Sequence, residues 1–234
     1  MKKLIILSFI LFSLLACQKA QSQNQAVVIL NDISGSMHKD SLMLIKEKGS
    51  LRRYLLQSLP EGEKVDIYTG FLFGNSASPT NLKSIEYNPK NTSRSIRIYK
   101  AQVAKKITRA VFSNDRSSDQ THILSSLRHI VELGSDYSQI ALLLHTDLAE
   151  WSDIRRFSTT SFQTAEEAKR AGEQDAKQVM EKYGLRRQDK AKVKIEVYMP
   201  VAQTSHRSQA FLIQYWESAL KVFFKRFTFN HQVL

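Results

Sequence analysis

Residues 26–36 read AVVILNDISGS and are the most informative part of the sequence. The apolar run that opens it is typical of a strand buried on both faces, as in parallel sheets. Asp32, Ser34 and Ser36 follow at the carboxyl end of that strand, where open α/β sheets bind their ligands. These three side chains offer only oxygen, which suits a hard divalent cation such as Mg²⁺ or Mn²⁺ better than zinc or copper. The stretch therefore predicts a metal site where the first strand ends.

Strand-like and helix-like patterns alternate after this stretch. The alternation predicts an α/β fold: a Rossmann-like, doubly wound, mainly parallel sheet with helices on both faces. Residues 25–234 have a size that one such domain fills, and neither a second linker nor an internal repeat is visible in them. Further strands are predicted at 64–74, 82–87, 140–147 and 193–199, with 227–233 an edge strand or an irregular tail. Helices are predicted at 40–59, 94–112, 121–133, 164–183 and 207–226, the fourth opened by a Thr164–Glu167 capping box and ended by Gly184.

The first 16 residues have the pattern of a secretory signal peptide. Lys2 and Lys3 form a basic start, and the apolar stretch 4–16 is too short to span a bilayer. The sequence LLAC at its end resembles the bacterial lipobox, which implies cleavage before Cys17 and lipid on that cysteine. An ordinary signal peptide and an uncleaved anchor are the alternatives. Residues 17–24 then form a lipidated cysteine with a polar tether, and Gln18 in the second mature position favours the outer membrane over the inner one.

Charge and cysteine content agree with an exported protein. Cys17 is the only cysteine, so no disulfide framework is expected, and lipid attachment accounts for a single thiol. The formal charge is +12; without Lys2 and Lys3, 32 basic residues face 22 acidic ones, which gives +10. Such a surplus attracts anionic lipid, acidic proteins or nucleic acid, and an envelope location makes nucleic acid the poorest of these partners. A plain solvated basic surface is the simpler alternative.

Two more oxygen ligands are predicted to reach the same edge of the sheet. Thr121 opens a helix midway along the chain, and Asp147 ends the buried strand 140–147. Together with Asp32, Ser34 and Ser36 they resemble the metal-ion-dependent adhesion site of von Willebrand factor type A (VWA) domains. The element order of nearly the whole mature chain is similar to that family. Residues 215–217 (YWE) in the last helix also resemble a feature of its bacterial lipoprotein and envelope members.

The resemblance implies a division of labour around the cation. Ser34 and Ser36 would bind it directly, Thr121 would join them in the ligand-bound state, and Asp32 and Asp147 would act through bridging waters. A cation held by neutral hydroxyls and water-separated carboxylates keeps much of its charge, so it seeks an anionic oxygen from outside. The implied partner is a protein that offers an Asp or Glu carboxylate, and the implied cofactor is Mg²⁺, with Mn²⁺ or Ca²⁺ as alternatives.

The sequence departs from the family pattern in two places. Leu148 follows the strand-ending Thr-Asp pair where family members often carry glycine, which leaves the shape of that loop open. Thr121 lacks the glycines common before it, so Ser117, Ser118 or Asp119 could replace it as a ligand. Each member of the set also has an ordinary structural interpretation: serines and threonines cap helices, and strand-end aspartates accept backbone hydrogen bonds.

Other polar residues near the predicted site are weaker candidates. His145 shares a strand face with the candidate carboxylate and His122 adjoins the candidate threonine, but histidine departs from the all-oxygen set. Glu150 and Asp153 could hold a second cation, although an acidic solvated loop is the simpler interpretation. Lys105, Lys106 and Arg109 decorate one face of the helix 94–112, where solvation alone could account for them.

The function predicted from these patterns is protein binding at the cell envelope without catalysis. A phosphoester hydrolase using Asp32 as nucleophile would need a second acid nearby, and position 34 is serine. Neither a G-x-S-x-G elbow nor a glycine-rich phosphate loop is present. A structural scaffold with a vestigial metal site is the remaining alternative.

Overall fold

The computed structural model describes residues 24–33, 41–72, 82–92, 95–112, 120–157, 162–199 and 206–233. The predicted signal peptide, Cys17, nearly all of the tether, Ser34 and Ser36 lie outside these residues. The described elements are, in chain order, β1 (Gln25–Asp32), α1 (Ser41–Ser58), β2 (Val65–Leu72), β3 (Lys83–Tyr87), α2 (Ile96–Phe112), α3 (Ile123–Leu133), β4 (Gln139–His145), α4 (Ala165–Lys182), β5 (Lys192–Met199), α5 (His206–Phe223) and β6 (Phe227–Val233). Among the described helices, none is long and apolar enough to cross a membrane.

The six strands form one sheet in the order β3-β2-β1-β4-β5-β6. All neighbours are parallel except β2 and β3, which pair antiparallel at the edge. This is the strand order of the doubly wound fold, whose ligand crevice lies where the order reverses. Here the reversal falls between β1 and β4, in register from Gln25 opposite Gln139 to Asn31 opposite His145. The predicted α/β class is confirmed, and Asp32 ends β1 at this reversal point.

The alternation of side chains along β1 divides the core into two halves. Val27 and Ile29 pack with α1 and α2 on one face of the sheet. Val28 and Leu30 pack with α3, α4 and α5 on the other face. All four are buried, so β1 is covered on both faces, as its continuous apolar run predicted.

Two glycines on the α4 side are required by the backbone. Gly184 ends α4 with φ +61°, the left-handed conformation that glycine adopts without strain. Gly172, inside α4, faces α5 so closely that a Cβ there would lie 2.2 Å from the backbone oxygen of Tyr215. The predicted capping box is present in part: Thr164 Oγ1 accepts a hydrogen bond from the amide of Glu167 at 3.1 Å. The Glu167 carboxylate accepts its bond from the amide of Gln163, at 2.7 Å, one residue before the position that the motif uses.

Element ends differ from the predictions by a few residues, and two predictions are refined. The helix predicted from Thr121 begins at Ile123, because Thr121 itself forms a short β-bridge. Residues 227–233, for which two possibilities were open, form the parallel edge strand β6.

Candidate functional site

Asp32 is the side chain around which the candidate site is built. It is 1% exposed, at the last position of β1. Thr146, just beyond the end of β4, donates its hydroxyl to Asp32 Oδ2 at 2.8 Å. This contact follows from the register, since Asn31 lies opposite His145 and the next residues on each strand are Asp32 and Thr146. The Thr-Asp pair is visible in the sequence, but its pattern predicts no role for Thr146.

Thr121 reaches the same carboxylate from a third segment of the chain. Its Oγ1 lies 3.3 Å from Asp32 Oδ1 and 3.5 Å from Oδ2, although the two residues are 89 positions apart. Two backbone hydrogen bonds with Trp151, of 2.9 and 3.1 Å, hold Thr121 in place just before α3. The structure therefore brings Asp32 and Thr121 together, while the alternatives Ser117, Ser118 and Asp119 lie outside the described residues.

Asp147 follows Thr146 and is buried, with 6% of its surface exposed. Its Oδ1 accepts a hydrogen bond from the amide of Ala149 at 2.9 Å. Leu148 between them has φ +63°, the left-handed region that glycine favours, and its amide donates to Thr146 Oγ1 at 3.1 Å. The loop therefore takes the conformation typical of glycine although leucine occupies the position. Leucine at this position therefore forms the turn at the cost of backbone strain.

The described part of the site fits a hard cation by its chemistry. Its side chains are two carboxylates and the hydroxyls of two threonines, and such oxygen donors suit Mg²⁺, Mn²⁺ or Ca²⁺. Ser34 and Ser36, the two predicted direct ligands, lie outside the described residues. Within those residues, no group of three or more His, Cys, Asp or Glu side chains is placed to hold a metal. The five-residue metal site therefore stays a prediction, of which Asp32 and Thr121 are in contact.

Glu150 has a different role from either interpretation of its sequence. Glu150 is not a solvated loop acid, because it is fully buried beneath the start of α3. Its position there also separates it from the exposed Asp153, the other residue of the second cation site that the sequence allows. Its Oε2 accepts hydrogen bonds from the amides of Ile123 and Leu124 at 2.8 and 3.1 Å, so it caps α3 from a distance. Burial raises the pKa of Glu150 to about 8, although the hydrogen bonds to its carboxyl group oppose the rise. Asp153 is exposed and pairs with Lys182 at 2.9 Å.

Both histidines beside the site contact other side chains of the protein. The His145 ring stacks on Tyr198, with ring centres 5.2 Å apart, and meets Phe112 edge-on at 5.5 Å. His122 is buried, and its Nε2 lies 3.1 Å from the Gln120 side-chain oxygen. Burial lowers the pKa of His122, which favours the neutral ring.

The last helix holds the loop that carries Asp147. Trp216 of α5 donates its indole N–H to the carbonyl of Leu148 at 3.0 Å. The preceding Tyr215 donates to Asp175 Oδ2 at 2.8 Å, and Arg155 binds the same carboxylate through two nitrogens at 2.7 and 2.9 Å. Burial is the largest cause that raises the pKa of Tyr215, so its hydroxyl stays a donor. The Tyr-Trp pair singled out in the sequence therefore anchors the loops after β4 through its two polar tips.

The comparisons with known proteins leave the family open. No family profile and no curated relative matches the sequence. Similar solved structures include human COPII-coat protein Sec24c (10% identity, TM-score 0.41, 93% of this chain and 30% of that chain). The open conformation of the pilus adhesin SpaC from Lactobacillus rhamnosus GG is similar as well (10%, 0.48, 91% and 28%), and so is manganese-loaded TRAP protein of Plasmodium vivax (12%, 0.35, 86% and 72%).

The protein thus spans less than a third of the first two chains. Identities of 10–12% and TM-scores below 0.5 assign neither a family nor a function.

Proposed function

We propose that this protein binds a protein partner through a divalent cation held by Asp32, Ser34, Ser36, Thr121 and Asp147. One observation carries the proposal: the hydroxyls of Thr121 and Thr146 both lie within hydrogen-bonding distance of Asp32 at the point where the strand order reverses. Three segments far apart in sequence supply oxygen to one place. The cation is Mg²⁺, Mn²⁺ or Ca²⁺, and the partner contributes an Asp or Glu carboxylate.

The chemistry of the side chains supports adhesion over catalysis. A cation bound mainly by hydroxyls keeps an attraction for an external carboxylate, and this attraction is stronger in a partly desolvated site than in water. The resemblance of the five residues to a VWA adhesion site supports the same assignment. A hydrolase would also need a general acid beside Asp32, and of the described acids Glu150 is committed to the start of α3.

A metal titration tests the proposed site directly. The chain has two tryptophans, Trp151 bonded to Thr121 and Trp216 bonded to the loop after Asp147, so their fluorescence reports on the site. Mn²⁺ should change the fluorescence of the wild-type protein saturably. Asp32→Ala and Ser34→Ala should abolish the change, while Asp153→Ala, which removes an exposed carboxylate nearby, should leave it intact. Equal Mn²⁺ affinity in the Asp32→Ala protein would refute the site.

A pull-down tests the partner. Crosslinking from membranes with Mg²⁺ and then with chelator should recover a protein only in the first condition, and the Asp147→Ala protein should recover none. Recovery that ignores the chelator supports a scaffold with a vestigial metal site. Turnover of generic phosphoesters with Mg²⁺, lost in Asp32→Ala, supports a hydrolase.

The proposed location is the bacterial cell envelope, probed through Cys17. Radiolabelled palmitate should be incorporated into the wild-type protein and sediment with outer membranes. The Cys17→Ser protein should carry no label and leave the membrane fraction. Label on the serine variant, or soluble wild-type protein, contradicts the lipid anchor.

A further inference from the structure

A groove between α1 and α2 is lined by cationic side chains and takes no part in the candidate metal site. Lys48 and Arg52 line it from α1, and Lys105 and Arg109 line it from α2. Gly49, Thr108 and Phe112 complete its surface, and its volume is about 490 Å³. These seven residues are called the cationic groove below. This volume lies within the usual range of ligand-binding clefts.

The four cations of the groove repel one another. Lys48 and Arg52 are four residues apart on one helix, and Lys105 and Arg109 have the same spacing on the other, an arrangement that destabilises a helix. Within the described residues, no carboxylate lies within ion-pair distance of any of the four. Lysines of α4 do have such partners, as in Lys169–Glu166 and Lys182–Asp153. The described side chains therefore leave this positive charge without a paired carboxylate, and such a surface attracts an external anion.

Apolar side chains flank this charge at both ends. Of the five large hydrophobic residues that are exposed in the described part of the chain, four lie on α1 and α2. The most exposed are Ile45 at 65% and Ile98 at 54%; Leu56 and Ile96 are the other two. Ile98 precedes Lys105 and Arg109 by seven and eleven residues, so the three share one helix face. The surface thus has a cationic centre with apolar ends.

One end of the groove reaches the candidate metal site. The carbonyl of Val111 accepts a hydrogen bond from Asn31 Nδ2 at 3.1 Å, and Asn31 directly precedes Asp32. The ring of Phe112 lies 5.5 Å from the ring of His145, which is two residues before Asp147. A ligand that fills the groove therefore ends beside the two strands that carry the site.

We propose that the cationic groove binds an acidic peptide segment of the protein partner, with apolar residues flanking its carboxylates. This inference rests on the proposed function, since the segment is continuous with the carboxylate that binds the cation. Charge complementarity fixes the ligand as anionic, and the concave shape favours a chain that enters the groove over a flat lipid surface. The groove then supplies affinity and association rate, while the cation supplies one specific bond.

The test uses a fluorescein-labelled peptide, a run of glutamates with a leucine at each end. Its anisotropy is measured with the full protein at low salt, in Mg²⁺ and in EDTA. Lys105→Glu/Arg109→Glu should weaken binding about tenfold or more. Each exposed ion pair with the peptide raises the affinity by up to about fivefold, and the double variant turns two such attractions into repulsions. The matched variant Arg170→Glu/Lys177→Glu makes the same charge change on α4 and should bind like wild type. Equal weakening by both variants would show that net charge alone attracts the peptide and would overturn the proposal.

Gly49 separates a groove ligand from a membrane. A Cβ at Gly49 would meet nothing within 4 Å, and Gly49 lines the groove. Gly49→Trp therefore adds a bulky side chain at the groove surface, while Gly49→Ala adds only a methyl group. Gly49→Trp should abolish peptide binding and Gly49→Ala should preserve it. Peptide binding unaffected by the tryptophan would refute the groove. Binding of phosphatidylglycerol vesicles that survives Gly49→Trp, with no peptide bound by the wild type, would assign the surface to lipid instead.

Failure of the groove and failure of the metal site are distinguishable. Asp32→Ala and EDTA remove the cation but leave the groove, so the peptide should still bind, more weakly. If Mn²⁺ titration fails while the groove variants behave as expected, the metal function falls and the acidic ligand stands. If Mn²⁺ binds but the peptide does not, the groove inference falls alone.

Discussion

Leu148 offers the sharpest test of how the site loop is built. Among the described residues it is the one non-glycine residue with a positive φ, at +63°. Its side chain is buried at 1% exposure and packs in the core half that contains α3, α4 and α5. Its amide and carbonyl are both hydrogen-bonded, to Thr146 and Trp216. The position therefore combines a favourable side chain with an unfavourable backbone.

Two substitutions separate the contribution of the buried Leu148 side chain from the cost of its backbone conformation. Leu148→Ala and Leu148→Gly both remove the buried side chain, which costs about 2–5 kcal/mol of unfolding free energy. The left-handed conformation costs an L-residue about 1–2 kcal/mol, and glycine escapes that cost. Against this gain, glycine lowers the stability by about 0.4–1 kcal/mol relative to alanine, because the unfolded chain has more conformational freedom at a glycine. The glycine variant should therefore be more stable than the alanine variant by roughly 0.5–1 kcal/mol.

Urea unfolding followed by circular dichroism measures the difference. Gly49 provides the internal control, since it lies in the exposed, regular helix α1 with open space around it. There Gly49→Ala should stabilise the protein by about 1 kcal/mol, the usual helical preference. The two sites should thus rank alanine and glycine in opposite orders. An alanine variant at Leu148 that is more stable than the glycine variant would refute the strain argument.

Three further substitutions test the support of the site. Trp216→Phe keeps an aromatic ring but removes the part of the indole whose N–H donates to the Leu148 carbonyl. Urea unfolding should therefore show a loss of about 1–3 kcal/mol, and Mn²⁺ titration a lower affinity. In Gly172→Ala the added methyl group would push α4 away from α5 at the Tyr215 carbonyl, so the protein should lose about 1–3 kcal/mol of unfolding free energy in the same assay. An unchanged unfolding midpoint would contradict the close contact. Glu150, whose pKa burial raises from 4.5 to about 8, is protonated when folded and ionised when unfolded between these values. The free energy of unfolding should therefore fall as pH rises from 4.5 to 8, by at most about 1.4 kcal/mol per pH unit. Glu150→Gln should remove this pH dependence, and near pH 5 its stability should equal that of the wild type.

The sheet and two of the site positions could be predicted because they depend on local patterns. The apolar run before Asp32 identifies a buried strand and its end, and the run before Asp147 does the same. Two parallel strands that are adjacent at the reversal of strand order must bring such ends together. Thr121 was placed only by its position before a helix, and the structure puts its hydroxyl against Asp32.

The supporting contacts could not be predicted because they depend on tertiary packing. Glu150 lies between alanine and tryptophan in a stretch that resembles a surface loop, and only the approach of α3 turns it into a buried cap. Thr146 acquires its role from the register between β1 and β4, which places it opposite Asp32. The left-handed turn at Leu148 contradicts the preference of leucine, so no rule based on residue type finds it.

The features that cost stability gather at one edge of the sheet. The positive φ of Leu148 and the buried acids Asp32 and Glu150 all lie where β1 and β4 end. Each is compensated by a hydrogen-bond partner: Trp216 of α5 for the loop, Thr146 directly after β4 for Asp32, and the first turn of α3 for Glu150. Backbone strain held in place by such contacts is typical of binding sites. Side chains that are already fixed before the partner arrives lose little conformational entropy when it binds. The same support explains why substitutions in α5, outside the candidate ligand set, should change metal affinity.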